Sequence, residues 1–496
     1  MWQWKRHLDY TSADCAGQEK KTPSPVVFYG KMGYHVGEKG GSLMSDRIQQ
    51  DNQIISGVIW KQLLVFFFPI AVGSIFQQFY NTVDAVIVGR FVGKEALASV
   101  GGSAAMVCNL VLGFFTGLSA GATVTISQFY GAGDQKNLHK SLHTAYALCV
   151  AAGVVLMVGG WAVTPSLLAW MKTNPEIMAD SVTYLRIYFL SIIGMLIYNM
   201  GAAIMRAIGD SRRPLYYLIV CCVINIVLDI LLVVVFRMGV AGVAVATAVA
   251  QTVSALLVTR SLMVNYDGLK LILREIRLDI PKVKVQLRIG MPSGLQVAMY
   301  GVSNIVIQTA VNTFGTDYVA AWAAYGKLDA IFWAICGAFG VAITTFAGQN
   351  YGAGKLDRVF KSMKVCTGMA VLACGSIMIT LMVFCRPLFA IFCEDTGVVD
   401  LGVYMLTTMM PSYILFVFIE IYSGTLRGLS DVLVPAIITM SGVLFVRVPM
   451  MVFVIPAIPD FMVVLVSYPI SWAVTLFLFI PYFAYRKKKI IRQLAG

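Results

Sequence analysis

From about residue 58 to residue 485 the chain is a succession of apolar runs. Each run is long enough for a helix to cross a bilayer, and each is closed by a polar or basic cluster. No other feature limits the possible folds so tightly, because only helices and closed barrels satisfy every backbone polar group inside a membrane. A barrel shows short alternating segments, whereas these runs are continuous, so the sequence predicts an all-α polytopic membrane protein. Composition agrees: 58% of the 496 residues are hydrophobic and 13% are charged, too few to coat a soluble protein of this length.

A formal net charge of +13 invites a nucleic-acid reading, but the positions of the charges argue against one. Basic residues crowd into particular connections: Arg212 and Arg213, Lys270 to Arg288, Lys355 to Lys364, and Arg486 to Arg492. Alternate connections hold few, such as Lys172, Arg237 and Arg386. This bias orients a membrane protein, with both termini expected on the cytoplasmic face of the cell membrane. Most of the ten cysteines lie inside apolar runs without a C-x-x-C pair, so free buried thiols are expected. None of the four histidines lies deep in a run, so neither a metal site nor a cofactor is expected.

Residues 1–57 are polar and lack the apolar core of a signal peptide; the expectation is a disordered tail or an over-extended start, with Met44 as an alternative beginning. Twelve helices are then predicted. Six lie near 58–88, 95–129, 138–163, 180–206, 213–236 and 239–262, forming a bundle over 58–268. A basic amphipathic linker (269–288) leads to a second bundle over 289–485, with helices near 289–313, 317–349, 358–391, 397–427, 432–455 and 460–485. A basic tail, 486–496, closes the chain.

The two bundles are copies. QFYGAG (128–133) recurs as QNYGAG (349–354), an offset of 349 − 128 = 221 residues. The same offset relates Lys140 to Lys361, Arg206 to Arg427, Asp210 to Asp431 and Pro214 to Pro435. Six helices per copy is an even number, so the copies run parallel about an axis along the membrane normal, an architecture typical of transporters. The Tyr-Gly-Ala-Gly stretches are not phosphate loops: Gln349 and Leu356 stand where a P-loop requires glycine and Ser/Thr. They read as helix stops and tight turns whose glycines bind nothing. With no ATP machinery in the sequence, uphill transport requires an ion gradient.

Ionisable residues inside apolar runs are costly and point to function. Asp84 lies in the first run; Asn225 and Asp229, spaced i, i+4, share one face of the fifth. Counting from the nearest basic residue at ~1.5 Å per residue puts Asp84 at ~9 Å depth, Asp229 at ~12 Å and Thr247 at ~15 Å. Gln77 and Asn225 sit deeper. Two carboxylates in one low-dielectric layer rarely both stay ionised, so the pair takes a proton, a sodium ion or a cationic solute in exclusion of the others. In the second half, offset 221 from Asp229 lands on Met450, and the charged residues are Glu420, Arg447, Lys327 and Asp329. These are expected either as a secondary polar site or as mutually neutralised ions. Clusters of the kind that membrane enzymes use are absent, so the chain is not expected to be an enzyme.

Together, FFPIAVGSIFQQFYNTVDAVIVGRFVG, the paired Q-x-Y-G-A-G joints, the RAIGD and RGLSD joints, and N-x-x-x-D in the fifth run resemble the multidrug and toxic compound extrusion (MATE) family. The resemblance covers residues ~55–485. It implies two six-helix bundles in a V, acting as a monomeric antiporter in the cell membrane. Small organic cations would leave in exchange for protons or sodium ions. It further implies a cation-coupling site at Asp84, Asn225, Asp229 and Thr247, with Gln77 nearby, and a bend of the first helix at Pro69. The alternative within the superfamily, a lipid-linked saccharide flippase, wants several deep arginines in the first half, where only Arg186 is found.

Overall fold

Helix boundaries follow the caps that the sequence supplies. A computed structural model describes residues 52–266, 268–392 and 395–495, with the backbone of 27–29 and 32–34. The latter form an antiparallel pair of strands, Val27–Tyr29 with Met32–Tyr34. The rest of the expected tail, and Met44 with it, lies outside the described residues.

The long helices are α1 (Ile59–Val92), α2 (Lys94–Ala132), α3 (Gln135–Trp170), α4 (Pro175–Ala207), α5 (Arg212–Val235) and α6 (Gly239–Val264) in the first half. The second half has α7 (Ile280–Asn312), α8 (Thr316–Gly352), α9 (Leu356–Val383), α10 (Thr396–Gly428), α11 (Leu433–Ala457) and α12 (Phe461–Ala495). Asp134 caps α3 by accepting from the Asn137 amide at 3.0 Å, Asn174 caps α4 just before Pro175, and Asp279 caps α7. Gly133 and Gly354 end the Tyr-Gly-Ala-Gly stretches in left-handed conformation, as helix stops require.

Eleven of these helices are long and apolar enough to cross a membrane. The twelfth, α7, has the length but is more polar, since it starts in the basic linker and carries Asn304 and Gln308 toward a cavity. Three expected boundaries need correction. Asp279 nucleates α7 early, so 280–288 is helix and only the residues between Val264 and Ile280 form the connector. The 486–496 tail continues α12 to Ala495, held by an Arg486–Asp431 ion pair. Residues 52–57 are no tail: a short helix, Gln53–Ser56, buries Ile54 and Ile55.

The two halves meet most closely where the copied joints lie. A Cβ on Gly131 would stand 2.0 Å from the Gln349 carbonyl oxygen, and one on Gly352 would stand 2.0 Å from that of Gln128. Only glycine permits this approach. Gln128 reaches across to donate to the Gly428 carbonyl at 2.7 Å; its copy, Gln349, donates to the Ala207 carbonyl at 2.7 Å. Both pairs differ by the same 221 residues, so the repeat produces a two-fold exchange of hydrogen bonds. These glycines, read from the sequence as helix stops, also seat one half on the other.

Along the α2–α7 seam the contact then loosens. A Cβ would meet its neighbour at 2.0 Å on Gly121, 2.6 Å on Gly117, 2.9 Å on Gly113 and 3.9 Å on Gly301. The halves therefore diverge as a V away from the joint face. On α1, Phe67 stacks on Phe339 of α8 at 4.0 Å near that face, while Ile75 to Phe79 are exposed farther along.

Candidate functional site

Three helices converge on Asp84. α1 supplies Asp84, with Tyr80 one turn earlier; α5 supplies Asn225 and Asp229; α6 supplies Thr247. In the orientation that satisfies its neighbours, the Asn225 amide donates to Asp84 Oδ1 at 2.8 Å and to Asp229 Oδ2 at 3.2 Å. The other end of that amide faces the Thr247 hydroxyl at 3.3 Å. The two carboxyl groups thus share one bridging amide nitrogen, and two carboxylates held that close in a low-dielectric site rarely both stay ionised. Asn225 and Asp229 are fully buried, and Asp229 Oδ1 has no partner among the described residues. Beyond the carboxylates both helices widen into a π turn, Val88–Val92 one turn after Asp84 in α1 and Ile230–Val235 directly after Asp229 in α5. Such turns are frequent at functional positions.

Four of the five expected coupling residues thus lie in one cluster. Gln77 is exposed and makes no hydrogen bond with it. The sequence reading missed Tyr80, which stands one helical turn before Asp84 on α1. Its signal was the i, i+4 spacing to Asp84, hidden among many aromatic residues. Pro69 is buried inside α1, where its missing N–H leaves the Val65 carbonyl without its helical partner.

A cavity of about 520 Å³ occupies the second half. Trp322, Tyr325, Trp333, Tyr413, Tyr468 and Trp472 form much of its wall, with Asp329, Glu420 and Arg447 among them. Asp329 accepts from Trp333 Nε1 at 2.6 Å, and the Tyr325 and Tyr413 hydroxyls bond each other nearby. Arg447 donates to Ser471 Oγ at 2.9 Å and lies 3.9 Å over the Tyr468 ring. A Cβ on Gly340 would stand 2.0 Å from Glu420 Oε1, so that carboxylate rests on bare helix backbone.

The expectation of mutually neutralised ions here is corrected: among the described residues no ion pair joins Asp329, Glu420, Arg447 or Lys327. Lys327 is exposed and does not line the cavity, because residues two apart on a helix point to nearly opposite sides. Aromatic rings and hydrogen-bonded tyrosines hold these charges apart.

Among the described residues, one group of metal-ligand type gathers outside both sites, at His139, His143 and Glu275. Both ring nitrogens of His143 are already engaged, Nδ1 with the His139 carbonyl at 2.8 Å and Nε2 with the Ile272 amide at 3.0 Å. The cluster fastens the connector to α3.

A family model described as MatE matches this chain twice, over residues 69–231 and 292–453. The chain belongs to the MatE family. The double match recovers the duplication independently, and each copy begins at a proline, Pro69 or Pro292. This MatE chain is 29% identical over 448 residues to the probable multidrug resistance protein YoeA of Bacillus subtilis, covering 88% of this chain and 96% of that one. It is 25% identical over 406 residues to the probable multidrug resistance protein NorM of Thermotoga maritima, covering 79% and 84%.

Among solved structures, the fold matches an outward-facing multidrug resistance MATE transporter of the MOP superfamily with a TM-score of 0.82. The identity is 21%, over 88% of this chain and 98% of that one. A MATE in a bent conformation gives 0.82 at 20% identity, over 92% and 100%. The MatE chain is therefore a multi-pass membrane transporter with the two-bundle fold expected from its repeat.

Proposed function

We propose that this transporter is a secondary active antiporter that exports amphipathic, mostly cationic organic compounds in exchange for protons or sodium ions. One observation carries the reading: Asp84 and Asp229, from separate helices, share a buried contact bridged by Asn225, and one carboxylate oxygen is left unpartnered. A carboxylate pair this close favours holding one proton. After losing that proton, and with the Asn225 amide turned over, it would offer two carboxylates, the Asn225 carbonyl and the Thr247 hydroxyl to a sodium ion, a suitable set of hard oxygen donors. Occupancy by one cation disfavours another, which is the physical requirement for exchange.

Cation binding at this site would repack α1 between Pro69 and the π turn at Val88, shifting an existing equilibrium between two arrangements of the halves. The V, closed at the joint face and splayed at the other, corresponds to an outward-facing member of that equilibrium. The aromatic cavity of the second half, with Asp329 and Glu420 in its wall, suits flat cationic amphipaths. The names of the relatives, multidrug resistance proteins, point the same way. The basic bias supports placement in the cell membrane with the joint face cytoplasmic. The flippase alternative gains nothing, since Arg186 is stacked over Trp161 at 4.6 Å.

Efflux of a cationic dye from cells expressing Asp84→Asn or Asp229→Asn tests the proposal. Both variants should lose efflux at normal expression; unimpaired efflux in both removes the carboxylate pair from the mechanism.

A further inference from the structure

The connector between the halves is a strap with two unlike faces. Leu269 and Leu271 are buried at 2% exposure each, and the chain is tied down behind them. The Ile272 amide donates to His143 Nε2 at 3.0 Å, and Gln286 Nε2 donates to the Ser141 carbonyl at 2.9 Å. Of its acidic residues, Asp279 turns inward to pair with Lys140 at 3.6 Å, while Glu275 stays exposed beside His139.

Apart from Glu275, what remains outside is cationic and aliphatic. Ile272, Leu273, Leu278 and Ile280 are 42%, 54%, 48% and 57% exposed, four large aliphatic side chains within nine residues. Arg274, Arg277, Lys284 and Arg288 are exposed between and beyond them, and none has an acidic partner among the described residues. Ile280, Lys284 and Arg288 follow at i, i+4, one stripe along the first turns of α7.

An orientation signal alone needs basic residues, but it needs neither exposed aliphatic side chains nor a backbone fastened so that Asp279 faces inward. An aqueous partner would not explain aliphatic residues held at the edge of a membrane bundle. An anionic bilayer surface explains both, since aliphatic side chains enter the acyl boundary while guanidinium groups pair with phosphates. We propose that the outer face of this strap binds anionic phospholipid headgroups of the bilayer that the chain spans. The strap joins α6 to α7, so headgroup binding there holds the hinge between the halves against the membrane. The proposal rests on the chain being a membrane protein and is independent of its transport reaction.

The test uses the full-length protein in detergent, titrated with phosphatidylglycerol, phosphatidylcholine or inorganic phosphate and read by native mass spectrometry. One basic residue near an anionic surface is worth about fivefold in binding. Phosphatidylglycerol should therefore bind at least about tenfold more tightly than phosphatidylcholine, with inorganic phosphate failing to compete at millimolar concentration. The Arg274→Gln/Arg277→Gln/Lys284→Gln/Arg288→Gln variant should lose that preference, while Arg237→Gln/Arg386→Gln should keep it. Equal binding of the two lipids, an unchanged preference in the quadruple variant, or displacement by phosphate overturns the proposal. If the quadruple variant does not fold, photoactivatable phosphatidylglycerol on the wild-type protein decides: labelling should map to residues 268–288, and labelling only elsewhere overturns it.

Discussion

Removing the exchanged glutamines should open the joint face. Gln128 donates there to the Gly428 carbonyl at 2.7 Å and to Ser430 Oγ at 2.9 Å. Gln349 donates to the Ala207 carbonyl at 2.7 Å and accepts from Asn52 Nδ2 at 2.9 Å. Each Gln→Ala change deletes two bonds from a buried seam. At ~0.5–1.5 kcal/mol per bond, the closed arrangement loses about 1–3 kcal/mol relative to one in which the halves have parted. That shifts the equilibrium by roughly 5- to 150-fold. Spin labels at the exposed positions Lys136 and Lys361, one in each half, report the change by double electron–electron resonance. Gln128→Ala and Gln349→Ala should each add a longer-distance population, and the double variant more of it. Gly131→Ala should do the same for a steric reason, since a Cβ 2.0 Å from a carbonyl oxygen cannot be accommodated without separating the helices. Variants that lower the unfolding temperature while leaving the distance distribution unchanged would refute the reasoning, because the joint would then be a permanent weld.

Three further perturbations probe the two sites. Asn225→Ala removes the amide that bridges Asp84 and Asp229, so dye efflux should fall severalfold with expression maintained; unchanged efflux would reduce the amide to a packing role. Tyr80→Phe deletes the hydroxyl one helical turn from Asp84 and should alter the pH profile of efflux, where a merely structural ring would leave the profile in place. Gly340→Ala puts a methyl 2.0 Å from Glu420 Oε1 and must displace that carboxylate from the cavity wall; binding of a cationic dye, followed by fluorescence polarisation, should weaken about tenfold, in line with ~1.4 kcal/mol for a lost charge contact.

The fold was legible because membrane crossing leaves few choices and because the 221-residue offset exposes the duplication without any structure. The convergence of Asp84, Asn225, Asp229 and Thr247 was legible for a related reason: helix rise converts sequence position into depth, and polar residues at one depth are few. What remained hidden depends on neighbours that spacing along one helix does not reveal. Tyr80 was lost among aromatic residues that also face lipid. The unpaired charges of the second half are separated by rings from four helices, so proximity in sequence, as for Lys327 and Asp329, misled. The glycine joints were found by counting, but their role as an inter-half seat depends on a backbone approach that no residue type alone encodes. Asn52 to Gly57 looked like a tail until Gln349, Lys355 and Arg358 were seen to hold it.

The central claim, cation exchange at the buried carboxylate pair, is tested most directly by ethidium transport in proteoliposomes with proton and sodium gradients imposed separately. One of the two gradients should drive ethidium movement in the opposite direction, and Asp84→Asn should abolish that drive. Transport that follows neither gradient, or that proceeds equally in the Asp84→Asn protein, would contradict it.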